Sequence, residues 1–152
     1  MATNDLQDLQ RRVLLLEDER DIGDVFSRYS HTIDYGRQQE WADCFTPDGV
    51  FDVFTVEGKK VHKENGRGEL FRYLGSKNLP PKRYDKHVLA APLIDVKGST
   101  AKAQSYFIMF SSVGGSAPFI GVYGRYKDTL VKEGGRWYLK ERLAEVERTP
   151  VR

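Results

Sequence analysis

Cysteine occurs once in the 152 residues, at Cys44, so no intrachain disulfide can form, which suits a reducing compartment. The three histidines, His31, His62 and His87, never approach one another at short spacing, which argues against a zinc site. Basic residues are scattered, with no run of five or more, and 24 Lys and Arg against 22 Asp and Glu leave a net charge of +2. Neither nucleic acid nor an acidic membrane is therefore expected as the main partner. No apolar run reaches membrane-spanning length. Ahead of Leu14-Leu15-Leu16 stand Asp5, Asp8 and several Gln and Arg, too polar for a signal peptide, so a cytoplasmic protein is expected. No glycine-rich loop precedes a helix and no dinucleotide fingerprint is present, so no cofactor is expected. Without repeats, low-complexity tracts or linkers, residues 1–152 read as one domain.

What is present is a change of period along the chain. Leu6, Leu9, Val13 and Leu16 form one helical stripe, and Ile22, Val25, Phe26, Tyr29 and Ile33 form a second, separated by the charged stretch Glu17 to Asp21. This predicts a long helix, or two in line, over residues 6–34. The first stripe has no place in a small core, so residues 1–17 are expected to be an arm that packs on another subunit, in a homodimer or homotrimer. A short helical segment with Trp41, Cys44 and Phe45 follows, then a strand over 50–56 and a helix over 65–74 ended by Asn78-Leu79-Pro80-Pro81. From Arg83 onward the pattern turns to strands, over 87–96, 101–113, 118–131 and 136–146. Turns with Gly98, Gly114-Gly115 and Gly134-Gly135 join them. Helices followed by an antiparallel meander predict an α+β fold, a strongly bent sheet with helices in its concave face enclosing a cone-shaped pocket.

Asp34 ends the second stripe in Tyr29-Ser30-His31-Thr32-Ile33-Asp34. By the helical period it lies roughly 120° from the stripe's centre, on the flank of the buried face. It can bond the following turn, or it can be a buried carboxylate with a partner or a task. His87 opens Val88-Leu89-Ala90-Ala91-Pro92-Leu93-Ile94, a run apolar on both faces, which predicts a strand buried on both sides and an imidazole that needs a partner. It reads either as a satisfied core histidine or as the proton carrier of a site. Tyr29 lies on the apolar stripe, where packing competes with a place over the cavity. Arg142, in the last strand, can pair across strands with Asp128 or hold a substrate oxygen. His31 falls on the face opposite the stripe and is expected in solvent. His62, in the polar stretch 58–65, carries no assigned role, and Cys44 reads as a small core residue.

The segments RYSHTIDYGRQQEWADCFTPDGVF, KHVLAAPLIDV with TAKAQSYFIMF, and GRYKDTLVKEGGRWYLKERL resemble the SnoaL-like group of the nuclear-transport-factor-2-like (NTF2-like) superfamily, from about residue 18 to residue 146. The resemblance implies the cone fold. By motif it is strongest toward dehydratases and eliminating lyases: scytalone dehydratase, the hexachlorocyclohexane dehydrochlorinase and the bile-acid 7α-dehydratase. In those enzymes an Asp-His pair abstracts a proton, and Asp34 and His87 stand at the matching positions. Tyr29 falls where the bile-acid enzyme has a catalytic tyrosine, and Arg142 where the dehydrochlorinase has an arginine. The implied function is a lyase or isomerase acting on a small hydrophobic cyclic molecule. A polyketide cyclase or ketosteroid-isomerase-like enzyme is the second reading. A non-catalytic binding or assembly module, such as a dioxygenase β subunit, is the third.

Overall fold

A computed structural model describes residues 2–77, 79–80 and 82–147. Helix α1 (Ala2–Asp34) is continuous, and α2 (Gln38–Ala42), β1 (Phe45–Thr55), β2 (Lys60–Asn65), α3 (Gly66–Gly75), β3 (Arg83–Lys97), β4 (Thr100–Val113), β5 (Phe119–Glu133) and β6 (Arg136–Glu147) follow. The strands form one six-stranded curled, unclosed sheet in the order β2-β1-β6-β5-β4-β3. Every neighbouring pair is antiparallel except β1 with β6, which is parallel. The expected α+β architecture is present, with one strand more than expected. Of the residues expected to stop α3, Asn78 and Pro81 lie outside the described residues, and the helix ends at Gly75.

That extra strand, β2, hides from hydrophobic patterning because its alternation is inverted. His62 and Glu64 turn to the half-buried side, while Val61 is 57% exposed. β1 begins earlier than expected. Phe45 pairs with Leu139 and Val50 with Glu141, so Thr46-Pro47-Asp48-Gly49 loop out opposite Lys140 alone. β3 corrects another expectation. It is an edge strand, and only its Arg83, Asp85, His87 and Leu89 side is half-buried. Its apolar outer side, with Val88 and Leu93, continues through Tyr106 and Ile120 as an exposed face. Opposite Ser105, β3 inserts both Ala91 and Pro92, with Ala91 at a left-handed φ of 48°, a bulge that bends the edge. Gly124 lets the sheet curl: a Cβ there would stand 2.1 Å from the Glu145 carbonyl oxygen of β6.

α1 meets the sheet only from its middle. Residues 5–17 are exposed, including Leu6, Leu9, Val13 and Leu16. Docking starts at Asp18, whose carboxylate accepts hydrogen bonds from Lys132 Nζ (2.7 Å) and Trp137 Nε1 (2.8 Å). Beyond it Ile22, Val25, Phe26 and Tyr29 bury against Trp41, Phe45, Leu130 and Leu139.

Within this core lies a fully buried ion pair. Arg142 donates from Nε and Nη2 to the two oxygens of Asp128, at 2.9 and 2.7 Å. The rings of Tyr29 and Tyr126 cover its guanidinium, with centroids at 4.2 and 4.1 Å. Such a pair is tolerated because each charge finds its partner and the aromatic faces add a cation–π attraction. Asp128→Ala should therefore cost about 3–5 kcal/mol of stability, since it strands a buried guanidinium. Replacing both members with apolar side chains should recover most of that loss. Chemical denaturation of the single and double variants checks this.

Candidate active site

The curl of the sheet leaves a cavity of about 400 Å³ between its two edges, closed by the end of α1 and by α3. That volume lies within the range of small-molecule sites. Its walls are apolar, with Phe51 and Val53 from β1, Phe107 and Met109 from β4, and Val122 and Tyr126 from β5.

Asp34 and His87 meet in this cavity. The Asp34 carboxylate, only 6% exposed, accepts the His87 backbone N–H at 3.2 and 3.0 Å and lies 2.5 Å from the ring Nδ1. The side chains come from the last residue of α1 and from the edge strand, 53 positions apart. An ionised carboxylate only accepts, so a proton on Nδ1 completes this contact and, in neutral imidazole, leaves Nε2 as the basic nitrogen. Nε2 has no hydrogen-bond partner among the described residues. This is the arrangement of an imidazole oriented by a carboxylate to take up a proton.

The other two expected site residues lie elsewhere. Tyr29 is fully buried and one layer behind the wall, beneath Phe51 and Tyr126. Its hydroxyl has no hydrogen-bond partner among the described residues, and burial holds its pKa well above the ordinary value. Arg142 is fully buried on Asp128 and does not line the cavity, so its cross-strand pairing replaces the expected substrate contact. Cys44 is a core residue whose thiol burial pushes up to about 11, and His31 is exposed as expected.

His62, which carried no role in the sequence, lines the cavity with Tyr73. Its Nε2 is 3.1 Å from the Tyr73 hydroxyl and the two rings are 4.7 Å apart. Nδ1 is buried without a hydrogen-bond partner among the described residues, the Glu64 carboxylate being 3.8 Å away. The inverted polarity of β2, with a histidine on its inward side, is the one signal that could have drawn attention to it. Arg83, Asp85 and Lys77 also line the cavity; Arg83 donates to Asp85 (2.8 Å) and Ser111 (3.0 Å), while Lys77 lies 3.9 Å over the Tyr73 ring.

The SnoaL-like domain family model matches residues 15–143. No curated protein matches the chain in sequence. Among solved structures, an NTF2-like protein with a cystatin-like fold from Novosphingobium aromaticivorans is 21% identical, with TM-score 0.80 over 93% of this chain and 89% of that one. The β subunit of a putative aromatic-ring-hydroxylating dioxygenase from the same organism is 20% identical, with TM-score 0.79 over 91% and 95%. A protein from Catenulispora acidiphila, solved in complex with S-DNPA, is 26% identical, with TM-score 0.71 over 87% and 93%. The first two likenesses show the fold.

Burial, and then the charge of Lys77, lower the pKa of His62 from its ordinary 6.5, against a weaker pull from Asp52. As pH falls below about 6.5 the unfolded chain takes up this proton before the folded one does. The stability contributed by neutral His62 is thus full above that pH and is lost as pH falls toward the folded-state value. Thermal melts from pH 7.5 to 5 should show this decline, and His62→Gln should flatten it.

Proposed function

This chain belongs to the SnoaL-like domain family, and we propose that it is a cofactor-free lyase or isomerase that removes a proton from a small hydrophobic cyclic substrate. The observation that carries this reading is the Asp34–His87 contact of 2.5 Å at the wall of an apolar cavity. His87 Nε2 accepts the proton from a carbon beside a carbonyl or a leaving group. Asp34 holds the ring through Nδ1 and stabilises the imidazolium that forms. Such positioned acid–base catalysis contributes typically about 10²–10⁴-fold in rate. The Catenulispora relative solved with S-DNPA supports a small-molecule ligand. A ketosteroid-isomerase-like mechanism with a lone carboxylate base has less support, because Asp34 is engaged twice by His87.

Screening cyclic ketones and hydroxy-ketones by mass spectrometry in deuterated buffer tests this reading. The wild type should exchange or eliminate. His87→Ala should abolish turnover while the fold is retained, and Asp34→Asn should reduce the rate far more than it weakens binding. Near-normal turnover by His87→Ala on a genuine substrate would refute the base.

An assembly role has its own observation, the exposed apolar outer face of β3, β4 and β5 together with the uncovered stripe of α1. Contiguous patches of this kind mark interfaces. The protein is proposed to be a homodimer or homotrimer, cytoplasmic in location. Among the described residues no helix is long and apolar enough to cross a membrane. Light scattering should give two or three chains per particle, and Leu9→Glu with Val13→Glu should shift the population toward monomer. A monomeric wild type at high micromolar concentration would overturn this.

A further inference from the structure

The two edge strands of the sheet each place a histidine in the cavity, His87 on β3 and His62 on β2. Proton abstraction beside a carbonyl moves the C–H electron pair into a new C=C bond and the carbonyl π pair onto oxygen. That oxygen then needs a hydrogen-bond donor. Tyr29 cannot serve, because it does not line the cavity. We infer that Tyr73, held by His62, is the donor to the substrate's oxygen, so that the cavity takes a ring compound bearing a carbonyl or enolic oxygen turned toward β2 and α3. This assignment rests on the proton-abstraction reading and adds to it the polar end of the substrate.

The His62–Tyr73 contact can run in either direction, and burial chooses between them. Were Tyr73 to donate to Nε2, neutral His62 would carry its proton on Nδ1, a buried N–H whose nearest carboxylate oxygen among the described residues, on Glu64, is 3.8 Å away and beyond hydrogen-bond length. Buried orphan donors are rarer in proteins than buried orphan acceptors. The favoured tautomer therefore has Nε2–H donating to the Tyr73 oxygen at 3.1 Å, which leaves the phenol proton for the ligand. Burial keeps the Tyr73 pKa well above its ordinary value, so the phenol retains its proton and donates without ionising. The Lys77 ammonium over the Tyr73 ring adds positive potential on the same side of the cavity. Among the described residues Lys77 has no carboxylate within 4 Å.

4-Nitrophenol tests this, since its phenolate resembles a ring enolate and reports binding by visible absorbance. The wild type should bind it, and Tyr73→Phe should weaken binding about tenfold or more, the scale of a lost hydrogen bond to a charged oxygen. The phenylalanine retains the ring packing on Trp41 and Phe51, and an unchanged melting profile would confirm an intact fold. Tyr29→Phe should leave the affinity unchanged. His62→Phe, which keeps the stack but removes the donor, should reproduce the Tyr73→Phe loss, and His62→Gln, which keeps an N–H, should restore most of it. Equal affinity in wild type and Tyr73→Phe, no binding by wild type, or a loss confined to Tyr29→Phe would each overturn the assignment. His87→Ala should still show the Tyr73 effect on 4-nitrophenol, so a failure of the base would be seen separately from a failure of the donor.

Discussion

The Asp34 carboxylate is the constraint on which the site depends. It terminates α1, takes the backbone N–H of His87, and holds the imidazole through Nδ1. The first contact gives an edge-strand N–H a partner that no neighbouring strand supplies. It pins the bent edge of the sheet to the end of the helix and so sets one wall of the cavity. The second selects the tautomer. A single buried anion is thus both a structural clasp and a chemical orienter, and its burial is offset by the bonds it accepts.

A second buried charge pair lies deeper and has a different task. Arg142 and Asp128 face each other across β5 and β6, covered by Tyr29 and Tyr126. The pair sits under the cavity wall and faces none of the cavity itself. It helps fix where α1 lies, because Tyr29 and Phe26 of that helix pack on the guanidinium. The arginine and the tyrosine matched to family site positions are here supports of the site.

Polar groups in the cavity are divided between its two edges. Asp34 and His87 stand at one, and His62, Tyr73 and Lys77 at the other, with aromatic and aliphatic side chains between them. An open curled sheet allows this division, since its central strands supply the apolar wall while its edges and the flanking helices supply ends that can carry polar atoms. The same openness leaves the outer face of β3 to β5 uncovered.

Much of the architecture was legible in local pattern. The 3.6-residue stripes of α1, the glycine turns after β3, β4 and β5 and the long β-patterned runs determine the α+β order. Asp34 and His87 could be named as candidates because each is an ionisable group beside an apolar run. That they would meet followed from the resemblance to a family Asp-His pair and not from local pattern, because 53 positions of chain separate them and sheet curvature decides the approach. Local period reports which side of an element is apolar, and it says nothing of what covers that side. Hence β3, apolar on both faces, turned out to be an edge strand. β2 has no apolar alternation at all; β1 is its only strand neighbour in the described sheet, and its His62 packs on Tyr73 of α3. The depth of Tyr29, the choice of Asp128 as the partner of Arg142, and the arrival of His62 beside Tyr73 were decided by strand order and curl. Those are properties of the whole sheet, set by contacts between residues far apart in the chain.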